Sequence, residues 1–428
     1  MQRNSGSWTA CAALITALVV AACGRQPEPS TNEMAELSVG ILLFGDSGYH
    51  LDYPDQDDFD DLYDEEAFRQ AEWDDWVEDK RPQDQFEARP MSVSPVTGKV
   101  VPATGMHAVA LAMKNYCRDI RRCDFGALLG DNIYPSGATF GADGKDDAQR
   151  FRDMFTIPFS QMVTDPTTYL TYVTLGNHDW ETSREAGFLQ IEFLENEPGF
   201  YMDGPFYSVK PPAGNGEIEL FVIDTSMILA SVPVFADSLN DDGSEVTTTE
   251  VEPVDYHVEP LTDAERAMPA WLENALREST ARWKFVIAHH PIWSSSGSKF
   301  EQARVLRQLL LPAMCRYADG YLVGHDHTLE IHTDSCEAAL GTPSAHPLVQ
   351  IVSGAAAKQR PIHTAFMEKQ EEKYPEHTTV WAEGLLWGFA HLQLEGDTAT
   401  VRLLSVPDDG SPDITEDFSY SFERRSGN

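Results

Sequence analysis

The sequence predicts an α/β sandwich rather than a single doubly wound sheet. Three observations carry this reading. Short apolar runs alternate with helical patterns through most of the chain. Five of those runs stop abruptly at residues with metal-ligand chemistry. After the last of them the sequence becomes strand-rich, which fits two packed sheets better than continued alternation.

The five runs are Val39 to Phe44, ending at Gly45-Asp46; Phe125 to Leu129, ending at Gly130-Asp131; Tyr169 to Leu175, ending at Gly176-Asn177-His178-Asp179; Trp283 to Ala288, ending at His289-His290; and Tyr321 to Val323, ending at Gly324-His325-Asp326-His327. Each reads as a buried strand. In layered α/β proteins, sites are built just beyond the carboxyl ends of strands. Glycine ahead of the polar residue lets the backbone turn there.

Between the strands, His107 to Tyr116 carries apolar residues at helical spacing, Val109, Leu111, Ala112 and Met113. Thr262-Asp263-Ala264-Glu265 matches a capping box. It opens a helix toward Arg277 that carries Trp271, Leu272 and Leu276. A third helix is expected over Gln302 to Leu311. The remaining strands are expected at Leu348 to Val352, Gly388 to Leu394, Ala399 to Leu404 and Phe418 to Phe422.

Two segments interrupt this pattern. Asp52 to Asp79 holds fourteen acidic residues and one basic residue, Arg69, together with Trp73 and Trp76. It reads as a solvated insertion, within residues 50–100, whose short helical turns pack the tryptophans. It lacks the ligand spacing and central glycine of an EF-hand loop. Because it leaves the Asp46 loop directly, it is expected near the mouth of any site there, where it could restrict access or prefer cationic substrates. Val232 to Pro260 reads as a second loop or strand-like excursion.

Charge narrows the partners. The 428 residues include 69 Asp and Glu against 31 Lys and Arg, a net charge of -38. Nucleic-acid binding needs basic surface, and this charge argues against it. An anionic substrate is repelled at long range, so bound cations must attract it locally.

The N-terminus reads as a targeting segment. Arg3 precedes an apolar run, Ala10 to Ala22, that is too short to span a bilayer. It ends Val20-Ala21-Ala22-Cys23-Gly24, which resembles a bacterial lipobox. Residues 1–22 are then a lipoprotein signal, 23–36 a flexible tether, and 37–428 the folded domain. The resemblance implies acylation of Cys23 and a membrane-anchored protein facing the periplasm or cell surface. With Cys11 and Cys23 set aside, Cys117, Cys123, Cys315 and Cys336 remain. An even number in an exported chain suggests two disulfides. Three connectivities are open, and sequence-local pairing, Cys117–Cys123 with Cys315–Cys336, is the one expected.

Hard carboxylates, one amide and several imidazoles, with no thiolate, suit iron, zinc or manganese. Any one of these residues alone is ordinary. A turn aspartate and a packed histidine are both common. Five strand ends carrying them together point to a two-metal hydrolytic site.

The motifs Gly45-Asp46-Ser47-Gly48, Gly130-Asp131-Asn132-Ile133-Tyr134, Gly176-Asn177-His178-Asp179, Ala288-His289-His290-Pro291 and Gly324-His325-Asp326-His327 resemble the calcineurin-like metallophosphoesterase superfamily, in order. The resemblance implies a four-layer α/β/β/α sandwich of two mixed sheets flanked by helices. Within it the chain is most similar to tartrate-resistant, purple acid phosphatases. Tyr134, three residues after Asp131, is the decisive position. Pro205-Phe206-Tyr207, Val222-Ile223-Asp224-Thr225, Pro291-Ile292-Trp293-Ser294, Ser353-Gly354-Ala355 and Gly388-Phe389-Ala390 add to it.

That resemblance implies a site. Asp46, Tyr134 and His327 hold ferric iron. Asn177, His289 and His325 hold a second divalent metal, Fe2+, Zn2+ or Mn2+, and Asp131 bridges the two. A metal-bound hydroxide attacks a small phosphate monoester, and His178 assists the leaving group. Asp179 orients His178 or the metal shell. The alternative is a related enzyme acting on phosphodiesters, nucleotides or lipid head groups. No role is assigned to His290. His332 is expected at the surface and His50 near the pocket entrance. A monomer is expected.

Overall fold

The apolar runs become strands because both of their faces are covered: every residue of Val39–Phe44 and of Phe125–Leu129 is buried. The computed structural model describes residues 36–53, 64–163, 168–252, 254 and 257–425. The expected signal segment and the tether up to residue 35, with Cys23, lie outside the described residues. So does the stretch 54–63 of the acidic insertion.

Fourteen strands form two seven-stranded sheets. In chain order, β1 (Ser38–Phe44), β2 (Phe125–Leu129), β3 (Thr171–Thr174) and β4 (Phe200–Tyr201) start the first sheet. The next seven build the second: β5 (Tyr207–Val209), β6 (Ile218–Val222), β7 (Trp283–Ile287), β8 (Gly320–Val323), β9 (Leu329–Asp334), β10 (Leu348–Ser353) and β11 (His377–Glu383). Then β12 (Trp387–Glu395), β13 (Thr398–Val406) and β14 (Thr415–Glu423) return to the first.

The spatial orders are β14-β13-β12-β1-β2-β3-β4 and β11-β9-β10-β8-β7-β6-β5. Both sheets are mixed. β1 to β4 run parallel, whereas β12 pairs antiparallel with β1 along Ser38–Leu43. In the second sheet β6, β7, β8 and β10 are parallel and the outer strands antiparallel. Side chains from one sheet bond backbone of the other: Ser353 Oγ donates to Leu43 O at 2.8 Å, and Thr174 Oγ1 to Ile223 O at 3.2 Å. Helix Met106–Asp119 covers the first sheet, with the Tyr116 ring 5.7 Å from Phe389. Helices Met268–Glu278 and Phe300–Tyr317 cover the second. The architecture is the expected four-layer sandwich.

The strands β4, β5, β6, β9 and β11 were not anticipated from sequence. β9 begins two residues after His327, where attention falls on the motif, and β11 is half-buried and weakly patterned. His332, expected at the surface, is buried on β9. Its Nδ1 lies 3.0 Å from His377 Nε2 and its Nε2 lies 2.6 Å from Glu330 Oε2. The sequence reading placed no strand between the motif and Leu348, and so left this histidine at the surface.

The disulfides pair Cys117 with Cys123 and Cys315 with Cys336. In the acidic insertion a longer helix forms than expected, Glu65–Glu78, capped by Asp64, with Trp73 and Trp76 both against Phe86. Arg81 ties the insertion down by donating to Ser296 O at 2.8 Å and Pro361 O at 3.0 Å. Within the second excursion Val234–Phe235 pairs with Val251–Glu252. No helix among the described residues is long and apolar enough to cross a membrane.

Candidate metal centre

The parallel strands of both sheets point their carboxyl ends at one place. β1 delivers Asp46; β2 delivers Asp131 and, one loop later, Tyr134; β3 delivers Asn177 and His178; β7 delivers His289; β8 delivers His325 and His327. The glycines are needed because the loops touch. A Cβ on Gly176 would fall 2.2 Å from Asp131 Oδ1, and Gly130 has a φ of +90° that only glycine adopts without cost. Asp46, Asp131 and His325 themselves sit in the left-handed region, at φ 55°, 50° and 69°. Such conformations cost roughly 1–3 kcal/mol each and cluster at functional sites.

Two groups of donors meet across Asp131. In the first, the Tyr134 hydroxyl lies 2.9 Å from Asp46 Oδ1, 2.8 Å from Asp131 Oδ2 and 3.1 Å from His327 Nε2. The hydroxyl lies within hydrogen-bond reach of two carboxylates and a ring nitrogen at once. In the second, His325 Nδ1 lies 3.2 Å from both Asn177 Oδ1 and His289 Nε2. His289 Nδ1 donates to Leu129 O at 2.8 Å, which leaves the Nε2 lone pair facing Asp131 Oδ1 at 3.3 Å. Both groups are buried and hold more lone pairs than protons. That is the donor set of a cation site, and Asp131, with one oxygen toward each group, can bridge two ions.

Electrostatics agree. Burial pushes the Asp46 carboxyl well above its usual range, reinforced by Asp131 and opposed by His289. Burial, then Asp131 and Asp46, hold the Tyr134 phenol far above its ordinary value. Burial disfavours the charged form of His289, but Asp131 and Asp46 outweigh it and push the imidazole up to about 9. Asp46, Tyr134 and His289 thus favour their protonated forms, while burial holds His325 and His327 well below the ordinary imidazole value, as neutral donors.

His178 sits at the edge of this cluster, half-buried, its ring centroid 4.5 Å from that of Tyr134. Its backbone N donates to Asp131 Oδ1 at 2.9 Å, and its Nδ1 lies 2.5 Å from Pro135 O. Asp179 is wholly buried beneath the loops. It accepts from Gly176 N at 2.8 Å, Asn132 N at 3.0 Å, Ile133 N at 3.1 Å and Gln190 Nε2 at 3.1 Å. It orients the loops that carry Asp131 and Asn177. His290 is buried against His325, ring centroids 4.3 Å apart, with Nδ1 2.8 Å from Thr225 Oγ1. His50 is half-buried and packs its ring 5.4 Å from that of His107.

Two cations here escaped the sequence reading. Lys358 places Nζ 4.3 Å from the centre of the Tyr134 ring, and Arg360 Nη1 donates to Asp326 Oδ1 at 3.2 Å. Their loop is pinned to the ligands. Ala357 N donates to Asp46 O at 3.2 Å and Arg360 N to His327 O at 3.0 Å. The signal available in sequence was two basic residues just past Ser353-Gly354-Ala355 in a strongly acidic chain.

Two facing mixed sheets thus gather aspartates, an asparagine and histidines at the carboxyl ends of their parallel strands, an arrangement that can hold two metal ions. The chain belongs to the calcineurin-like phosphoesterase family, whose model matches residues 105–329. It is 30% identical over 238 residues to Purple acid phosphatase 4 of Arabidopsis thaliana, and 27% identical over 237 residues to Purple acid phosphatase 17 of the same plant. Each match covers 55% of this chain and 59% of the relative, so the chain spans under two thirds of the curated relatives it resembles. A solved structure of PhoD aligns with 75% of this chain and 68% of its own, at 12% identity and a TM-score of 0.48.

Proposed function

We propose that this protein is a two-metal phosphomonoesterase of the purple acid phosphatase type. The observation that carries the reading is the Tyr134 hydroxyl, wedged between Asp46, Asp131 and His327. Asp46, Tyr134 and His327 would hold Fe3+; Asn177, His289 and His325 would hold Fe2+, Zn2+ or Mn2+; Asp131 would bridge. Bound there, the two cations polarise phosphate oxygens and lower the pKa of water.

The chain's own residues do the rest. Lys358 supplies a fixed positive charge that draws a phosphate toward the cluster despite the net charge of -38. His178 donates its Nδ1–H to Pro135 O, which fixes the ring; as the imidazolium, its Nε2–H would pass the proton to the departing alkoxide and leave the neutral Nδ1–H ring. Asp179 keeps the Asp131 and Asn177 loops in register. The substrate is a small phosphorylated molecule, and the enzyme works outside the cytoplasm, tethered through lipid on Cys23.

Visible absorption, metal content and hydrolysis of p-nitrophenyl phosphate test this together. Iron-loaded protein is expected to be purple or pink from tyrosinate–Fe(III) charge transfer, and Tyr134→Phe to lose the colour while keeping a cooperative unfolding transition. A colourless, iron-containing wild type, or one that cleaves only diesters, would overturn the assignment.

A further inference from the structure

The second sheet has another built feature, at the opposite end from the metal centre. There a cavity of about 650 Å³ is lined by Arg282, Lys284, Arg316, Arg424 and Arg425, with Asp319 the only carboxylate among its described lining residues. These residues precede or open β7 and β8 or follow β14, so the cavity lies at the amino ends of the strands whose carboxyl ends carry His289 and His325. The five residues from Lys284 to His289 put the two places ~17 Å apart along an extended strand.

Five of the chain's 31 basic residues thus face one cavity in a protein of net charge -38. Their positions are braced by neighbouring groups. Arg282 Nε bonds Asp397 Oδ1 at 2.9 Å and its Nη1 bonds Glu217 Oε2 at 3.1 Å. Arg424 Nε bonds the same Asp397 oxygen at 2.6 Å. Arg425 donates to the Cys315 carbonyl, beside the Cys315–Cys336 disulfide, and to Ser344 Oγ. Asp319 is spent on backbone, accepting from Lys284 N at 2.8 Å and Arg425 N at 2.9 Å. Arg316 is 44% exposed and pairs with Glu273, at 3.5 Å. Glu219 beside Lys284 and Asp334 beside Arg425 bring the neighbouring carboxylates to six, so an incoming anion meets a positive lining rather than a net excess of charge.

We infer that this cavity is a second, non-catalytic site for a phosphate-class oxyanion. Guanidinium forks held by carboxylates from behind present their remaining N–H groups in fixed directions, which suits the tetrahedral oxygens of a phosphate. The volume is ample for a phosphorylated small molecule or a lipid head group. Location bears on the source. Leu37 O accepts from Gly396 N at 2.8 Å, and Trp283 Nε1 donates to Gly396 O at 3.0 Å, so the described domain begins at this same end. A lipid head group as the source rests on the proposed lipid tether at Cys23, which precedes Leu37 in the chain.

The test uses full-length chain treated with chelator, so that the metal centre does not compete, and inorganic phosphate as the soluble probe in calorimetry. A second arm measures sedimentation of the Cys23→Ser chain with phosphatidylglycerol against phosphatidylcholine vesicles. The variants are Arg316→Gln alone and with Lys284→Gln. Phosphate binding weakened tenfold or more by the double substitution supports the site with a free anion as source. Preference for phosphatidylglycerol, lost in the same variant, supports it with a lipid head group as source. Binding in neither arm, or binding that the substitutions leave unchanged, overturns it. The metal-loaded variants keep wild-type phosphatase kinetics. If the double variant fails to fold, the exposed Arg316→Gln alone decides, with a loss of threefold or more expected.

Discussion

His289 Nε2 faces Asp131 Oδ1 across 3.3 Å, and the Leu129 carbonyl has already taken the proton on the other ring nitrogen. Two lone pairs do not hold that geometry alone. A cation must sit between them, and in metal-free protein it is a proton, since burial is outweighed by Asp131 and the imidazole is held up to about 9.

Metal loading should therefore release protons. At pH 7 the His289 proton, and that of Tyr134 if it ligates, must leave before a metal is bound. Calorimetric titration of chelator-treated protein in buffers of different ionisation enthalpy should show at least one proton released per molecule. Reloading should also raise Tm by several degrees, since a ligand at 1,000 times its Kd stabilises by about 4 kcal/mol. Metal uptake with no buffer dependence would contradict this account of the cluster.

Asp179→Asn should weaken metal binding without touching a ligand. An amide cannot accept from Gly176, Asn132, Ile133 and Gln190 together, and its own NH2 would oppose one of them. Loss of such supporting partners typically costs 10–100-fold in metal affinity. Competition with a chromogenic chelator reads this directly. An unchanged affinity would mean that the loops hold themselves.

Lys358→Gln should raise KM for p-nitrophenyl phosphate, and the inhibition constant for inorganic phosphate, by about tenfold, with kcat within threefold. The lost charge acts on bound phosphate in ground and transition states alike, and a charge-assisted contact is worth about 1.5–3 kcal/mol. Lys358→Arg should recover part of the loss. If KM stays put while kcat falls, Lys358 acts on chemistry rather than on capture.

Acid stability gives a further check. Burial, then His332 and Arg307, depress His377 to about 2; burial depresses His391 to about 4, partly opposed by its bond to the Arg122 carbonyl. An imidazole whose folded value lies below its unfolded one binds protons preferentially in the unfolded chain. Stability is then complete above pH 6.5 and lost as pH falls, at about 1.4 kcal/mol per unit per histidine. Buried Asp224, pushed up to about 7 by burial, and Asp319, pushed up to about 6 by burial, act in the opposite sense between pH 4 and 7. Relative to wild type, His377→Gln should lose less Tm between pH 7 and pH 5. Equal slopes would show that His377 does not titrate on unfolding.

What could be read in the sequence followed local rules. Strands ending in glycine and a ligand-type residue announce themselves, because a buried run and a sharp turn are both written in neighbouring residues. The pairing of Cys117 with Cys123 is equally local. Lys358 and Arg360 stayed hidden because their importance comes from a loop laid across Asp46 and His327, residues far away in the chain. His332 was misplaced for the same reason: its burial depends on β11, which arrives 45 residues later.

The order in which the strands are made sets when the metal centre can exist. β1, which carries Asp46 at its tip, lies in the middle of the first sheet, yet its neighbour on one side, β12, pairs Leu43 with Ala390. Until that segment has been synthesised the strand keeps an open edge, and an open edge invites pairing with the wrong chain. The ligands from β1 and β2 likewise wait for His325 and His327. Assembly is thus a late, all-at-once event, and a nascent chain must be kept from aggregating through most of its synthesis.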